Sequence, residues 1–168
     1  PLANKRDDGY GGTLEGRMRL ALEVTEAVRA QWPEELPLFY RASAVDGVEG
    51  GLEIEDTIAL AHALQARGVD VLDCSSGGIQ GSAVLARKRP VSGLQVPHAA
   101  RVRAETGLKT MAVGFITEAE QAEAILRAGD ADLIALARKL LFDPFWPVHA
   151  AQALGADPDW DLWPEQYG

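Results

Sequence analysis

Apolar and polar positions change period along the chain, and each change marks an element. From Leu14 to Trp32 the inward positions Leu14, Met18, Leu22, Thr25, Val28 and Trp32 recur at helical spacing. Thr13 stands where an N-cap belongs, and Pro33 stops the helix. "LPLFYRAS", Leu36 to Ser43, then reads as a buried strand. A second helix fits Glu55 to Arg67, and "VDVLDCS", Val69 to Ser75, gives a second strand. A third helix fits Val96 to Thr106, with "LKTMAVGF" to Phe115 as its strand. The fourth unit opens with Thr117 and Glu120 in the spacing of a capping box, runs as a helix to Gly129, and closes on "ADLIALA". Its strand is predicted over Asp132 to Ala137, and "KLLFDP" follows like a stub of helix.

The recurring phrase is helix, glycine, a few residues, apolar strand. Gly68, Gly107 and Gly129 fall where a helix end commonly needs a left-handed residue. Strands that are apolar throughout are covered on both faces or closed into a barrel. Repeated βα units leave two architectures, an open doubly wound sheet or a (β/α)8 barrel. Right-handed crossovers repeated without reversal predict four parallel strands in sequential order with helices outside. A barrel needs eight strands and roughly 250 residues, so four strands in a 168-residue chain suggest half a barrel. The opening "PLANKRDDGYGG" is a polar, glycine-rich loop that enters a helix with no strand before it, as expected if the other half stood before Pro1. The tail "GADPDWDLWPEQYG" is expected to lie as an extended cover.

Composition narrows the function classes. At 47% hydrophobic residues the chain can build a globular core. No run approaches the roughly 18 apolar residues of a membrane span. A formal charge of −9 with no Lys/Arg cluster argues against a nucleic-acid surface. Cys74 is the single cysteine, which suits a reducing cytoplasm, and its apolar setting makes it a buried, inert thiol. His62, His98 and His149 are isolated from one another, so no metal site is expected. There is no P-loop, no GxGxxG and no nucleophile–base pair.

The strand ends carry the candidate chemistry. They deliver Arg41 and Ser43, then "SSGG" from Ser75 to Gly78, then Val113 and Gly114, then Ala137 and Arg138. In a (β/α)8 barrel these ends form the active-site face, and the loops after the last two strands commonly bind phosphate. Gly114 would allow a close backbone approach, the "KLLFDP" stub would add N–H donors, and Arg138 would supply a forked cation suited to phosphate. Competing readings remain open at this level. Arg138 is within reach of Asp132 or Asp143, Arg41 is within reach of Asp46, and "SSGG" is also a turn in which Gly77 and Gly78 supply positive φ.

A resemblance enters through "NKRDDGYGGTLEGRMRLALEVTEAVR", "RASAVDGVEGG", "DCSSGG", "QVPHAARVRAETGLKTMAVGFI", "QAEAILRAGDADLIALARKLLFDPFWP" and "WPEQY". In order, and over nearly the whole chain, these resemble the C-terminal half of the old yellow enzyme family, most closely its xenobiotic-reductase branch. The resemblance implies a single α/β segment over residues 1–168, strands 5–8 of a (β/α)8 TIM barrel. It implies FMN and NAD(P)H as cofactors, and hydride transfer to the activated C=C bond of an enone. Arg41 matches the arginine facing the flavin pyrimidine, Val113 and Gly114 the turn near the phosphate, and Ala137 and Arg138 the pair holding the phosphate. The family more often has glycine at Ala137. Its carbonyl-binding histidine pair, or histidine and asparagine, its proton-donating tyrosine, flavin-edge glutamine and strand 1 loop would all lie before Pro1, so no catalytic residue is assigned here and the chain alone is expected to be inactive. A residue that reaches a neighbouring subunit after "QY" is also missing at Gly168. The expected partners are a complementary N-terminal half-barrel or a second copy. Two other readings stand beside this one: a non-catalytic half-barrel module, and a phosphate-binding barrel of other chemistry, although an aldolase would want a strand-end lysine.

Overall fold

The computed structural model describes residues 1–79 and 91–166; Tyr167 and Gly168, the end of the "WPEQY" motif, lie outside the described residues. Four strands, β1 (Phe39–Ser43), β2 (Val71–Ser75), β3 (Lys109–Ala112) and β4 (Leu133–Ile134), form one parallel sheet in the order β1-β2-β3-β4. Helices α1 (Leu14–Arg29), α2 (Ile54–Gln65), α3 (Val96–Thr106) and α4 (Ala119–Ala128) each precede a strand, and α5 (Arg138–Phe142) and α6 (Trp146–Ala153) follow β4. The order never reverses. The doubly wound alternative is thereby excluded, and the chain is an α/β half-barrel of four consecutive units.

Register decides which side chains meet. Phe39, Arg41 and Ser43 stand opposite Val71, Asp73 and Ser75, and Val71 and Asp73 stand opposite Lys109 and Met111. Because side chains alternate along a strand, these residues share one face. The other face carries Tyr40, Ala42, Leu72, Cys74, Ala112 and Ile134, which pack with Ala61 and Leu64 of α2, Ala99 and Val102 of α3, and Ala122 and Ile125 of α4. That second face is the core. Cys74 is fully buried within it, and burial, with Asp73 beside it, pushes the thiol up to about 12.

Local chemistry sets most element ends. Thr13 accepts from the Gly16 N–H at the start of α1, as its sequence position implies. Gly68, Gly107 and Gly129 all take left-handed φ, at 80°, 70° and 74°. α1 stops three residues before Trp32, and the Arg29 guanidinium gathers the Trp32 and Pro33 carbonyls beyond it. The capping box expected at Thr117 and Glu120 does not form: Glu118 is the N-cap, and the Gln121 side chain accepts from the Thr117 N–H instead. At α2 the Glu53 N–H donates to Asp56.

The strands are shorter than the apolar runs predict. β1 begins at Phe39 because the Leu38 N–H is taken by the Asp70 carboxylate, and β3 ends at Ala112. β4 pairs only over Leu133–Ile134, with two flanking bonds, from the Asp132 N–H to the Thr110 carbonyl and from the Ala135 N–H to the Ala112 carbonyl. The remaining residues leave the ladder and turn over the sheet's C-terminal edge. The tail is not extended. It folds in turns onto α6, where Trp163 packs against Phe145, His149 and Trp160. Among the described residues no helix is long and apolar enough to cross a membrane.

Asp132 ties α3, β3 and β4 together. Its carboxylate accepts from Arg103 Nε at 3.0 Å and from the Thr110 N–H at 2.9 Å. Burial alone would raise this carboxyl, but the Arg103 guanidinium and the Thr110 N–H outweigh it and hold the group below its usual range. A carboxyl depressed by folding adds stability above its ordinary range and loses it as pH falls through the depressed value. Asp132→Asn should therefore cost about 1–2 kcal/mol at neutral pH. Denaturant midpoints of the two proteins should converge as the pH is lowered.

Candidate functional site

The residues that leave the ladder build a cleft of about 760 Å³ at the C-terminal edge of the sheet. Its walls come from four strand ends, and Arg41, Val113, Gly114, Ala137 and Arg138 all line it. The structure thus brings these five residues together in one cleft, while Ser43 and Gly77 are not among its lining. Ser75, Ser76, Gln95, Phe115 and Lys139 join them.

Arg41 stands on the open face of β1, and its guanidinium bonds Asp73 directly across the ladder. The predicted alternative, Asp46, is used elsewhere: its carboxylate accepts from the Leu52 N–H at 2.7 Å. Exposure within the pair is uneven, with the Arg41 side chain 56% exposed and that of Asp73 12%. The sheet therefore holds the anion down while the cation reaches into the cleft. Asp73 Oδ1 is buried with no hydrogen-bond partner among the described residues.

Gln95 is the residue that sequence reasoning missed. It is the N-cap position of α3 and is almost fully buried. Its Nε2 donates to Ser76 Oγ at 2.9 Å and lies 3.3 Å from the Ser76 carbonyl and 3.4 Å from Ser75 Oγ, fixing the loop after β2. Gly77 and Gly78 have positive φ in that loop, so the predicted turn is real and also forms a cleft wall. Gln95 explains Gly114 as well. At φ 109°, a Cβ on Gly114 would stand 3.0 Å from Gln95 Oε1 and 3.2 Å from its backbone nitrogen. The glycine lets the loop after β3 lie against Gln95, a reason independent of any ligand. No sequence signal separates Gln95 from a solvated glutamine before a helix.

Arg138 opens α5, and its guanidinium carbon lies 4.6 Å from the centroid of the Phe115 ring. Neither carboxylate within reach in the sequence takes it, since Asp132 binds Arg103 and Asp143 lies 3.1 Å from His149 Nδ1. Ala137 sits beside it at φ −127°, ψ −80°, where the chain turns from strand to helix. Among the described residues the lining therefore has three cationic side chains, Arg41, Arg138 and Lys139, and no carboxylate. Among the described residues no group of His, Cys, Asp or Glu is arranged to hold a metal ion. A basic cleft with apolar walls and hydroxyls on one side suits an organic anion such as a phosphate ester.

Comparisons with known proteins place the chain in a family. Residues 1–157 match the model of the NADH:flavin oxidoreductase / NADH oxidase family. A protein named NADPH dehydrogenase from Halalkalibacterium halodurans is 47% identical over 156 residues, covering 92% of this chain and 44% of that protein. Its namesake in Bacillus subtilis is 42% identical over 157 residues, covering 94% and 45%. The chain thus spans less than half the length of the curated relatives it matches. Among solved structures, a 2-naphthoyl-CoA reductase complexed with 2-naphthoyl-CoA superposes with TM-score 0.80 at 26% identity, over 90% of this chain and 23% of that one. Histamine dehydrogenase from Rhizobium sp. 4-9 superposes with TM-score 0.74 at 25% identity, over 90% and 22%.

The contact between Gly114 and Gln95 generates a prediction. Gly114→Ala adds both backbone strain and a crowded Cβ and should cost about 1–3 kcal/mol. Gly107→Ala meets open space and only the left-handed penalty, about 1–2 kcal/mol. Urea midpoints should fall further for Gly114→Ala than for Gly107→Ala.

Proposed function

Because the chain belongs to the NADH:flavin oxidoreductase / NADH oxidase family, we propose that its cleft holds FMN in an enzyme that passes hydride from NAD(P)H to the activated C=C bond of an α,β-unsaturated carbonyl compound. The observation that carries this reading is the cleft shared by Arg41, Val113, Gly114, Ala137 and Arg138, with no carboxylate among its described lining residues. FMN supplies the reversible uptake and release of hydride, which no side chain can provide.

The chain's own residues divide the work. Arg138, with Asp132 and Asp143 both engaged elsewhere, is the cation for the phosphate. Val113, Gly114 and Ala137 form the adjoining backbone walls. Arg41 would present a fixed positive charge to the pyrimidine end, where negative charge would collect on reduction, and Asp73 anchors it from the neighbouring strand. Lining residues Val113, Phe115, Ile116 and Leu136 supply apolar wall for the space between.

These roles predict different behaviour in two variants. Arg138→Ala should weaken FMN retention by about 1.5–3 kcal/mol, as for a lost hydrogen bond to a charged group. Equilibrium titration monitored by flavin fluorescence measures it. Arg41→Ala should instead lower the midpoint potential of bound FMN, read by spectroelectrochemistry at saturating FMN. An unchanged potential would remove Arg41 from its assigned role.

The cleft offers no histidine, tyrosine or carboxylate among the described residues, so it lacks the groups that would hold and protonate an alkene. β1 and β4 are the outer strands of the four-stranded sheet, and Phe39 and Leu133 are 45% and 39% exposed on them. These exposed strands favour completion by a complementary half-barrel or by a second copy. A non-catalytic half-barrel module is the second reading that the open sheet supports. Enone reduction assayed with this chain alone should give no turnover, and turnover would show that the cleft is self-sufficient.

A further inference from the structure

One residue of the cleft is held outside the conformations that bulky side chains prefer. Phe115 has φ 53°, in the left-handed region that an aromatic residue rarely adopts. Its neighbours fix it there. The Phe115 carbonyl accepts from Ser92 Oγ at 3.2 Å and lies 3.5 Å from Gln121 Nε2, and Gly114 at φ 109° turns the chain just before it. Backbone strain that the surroundings enforce at a cleft is an observation that calls for a function. Here the outcome of the turn is visible, since the Phe115 ring lies under Arg138, 4.6 Å from the guanidinium carbon.

We propose that Phe115 is the positioning residue of the anion site, an aromatic platform that holds the Arg138 guanidinium over the cleft. The proposal rests on the reading of Arg138 as the phosphate cation and adds what keeps it in place. A carboxylate partner would orient an arginine too, but it would neutralise the charge and occupy the N–H donors that a phosphate needs. An aromatic face attracts the cation through the ring quadrupole and consumes no donor. The surrounding acids are consistent with this, since Asp132 is bound by Arg103 and Asp143 lies against His149. Strain at Phe115 thus substitutes for a counter-ion that would compete with the ligand.

The test compares FMN with riboflavin, which lacks the phosphate, by fluorescence titration of the purified protein. Phe115→Leu keeps apolar bulk and removes the quadrupole. FMN should then bind about two- to fivefold more weakly, the equivalent of 0.5–1 kcal/mol for an exposed cation–π contact, while riboflavin binding stays unchanged. Phe115→Trp should retain wild-type FMN affinity. With Arg138→Ala already present, Phe115→Leu should change nothing further. A ligand-free readout accompanies these: the side-chain protons of Arg138 should show an upfield ring-current shift by NMR that Phe115→Leu abolishes. Equal weakening of FMN and riboflavin would overturn the platform, as would a loss that persists without Arg138 or the absence of a ring-current shift. Equal affinity of the unsubstituted protein for FMN and riboflavin would overturn instead the phosphate reading beneath it.

Discussion

The cleft depends on the register of Val71–Ser75, the interior strand that pairs with β1 and β3. That register puts Asp73 opposite Arg41 on the open face and sends Leu72 and Cys74 to the helices. A slip of one residue would reverse both faces, burying a carboxylate among α2 and α3 and exposing the core. The core side of the strand is therefore what specifies the charged side. Leu72 and Cys74 are completely buried, so the alternative register would lose their burial and place an ion there, and both effects oppose it. Hydrophobic packing on one face fixes electrostatics on the other.

A second ordering principle is the disposition of acids. The chain carries a formal charge of −9, yet its cleft is basic. The sequence neighbours that could neutralise the two arginines are employed in local structure. Asp46 closes a loop on Leu52, Asp132 joins α3 to β3, and Asp143 meets His149. Among the described residues only Asp73 pairs with a cleft arginine, and it does so from the neighbouring strand. A cation whose nearby acids are occupied keeps its donors for a ligand.

Much of this was legible in the sequence. The βα period, the three left-handed glycines and the apolar strands determine a sequential parallel sheet, and strand-end position alone placed Arg41, Gly114 and Arg138 in one cleft. Three features were not legible, and each is a contact between residues distant in the chain. Asp73 as the partner of Arg41 follows from register, which no local pattern encodes. Gln95 gains its importance by filling the space beside Gly114, and a polar residue ahead of a helix gives no hint of burial. Phe115 reads as the end of an apolar strand, whereas the sheet ends three residues earlier and leaves it to turn outward. The apolar run overstates the strand because the cleft lining is apolar too.

The brevity of β4 reaches beyond geometry. Two paired residues at the border of a sheet contribute little cooperative hydrogen bonding, and β4 leads directly into Ala137 and Arg138. Such a border is where local opening is least costly. Under the proposed binding, a ligand reaching from Arg138 to Arg41 would connect this weakly held margin to β1 on the opposite side of the sheet, and its binding free energy would enter the margin's closing equilibrium by mass action. Occupancy of the cleft and amide protection along the last third of the chain would then be two readings of one equilibrium, and the concentration of the ligand would govern how much of the polypeptide behaves as a single cooperative unit.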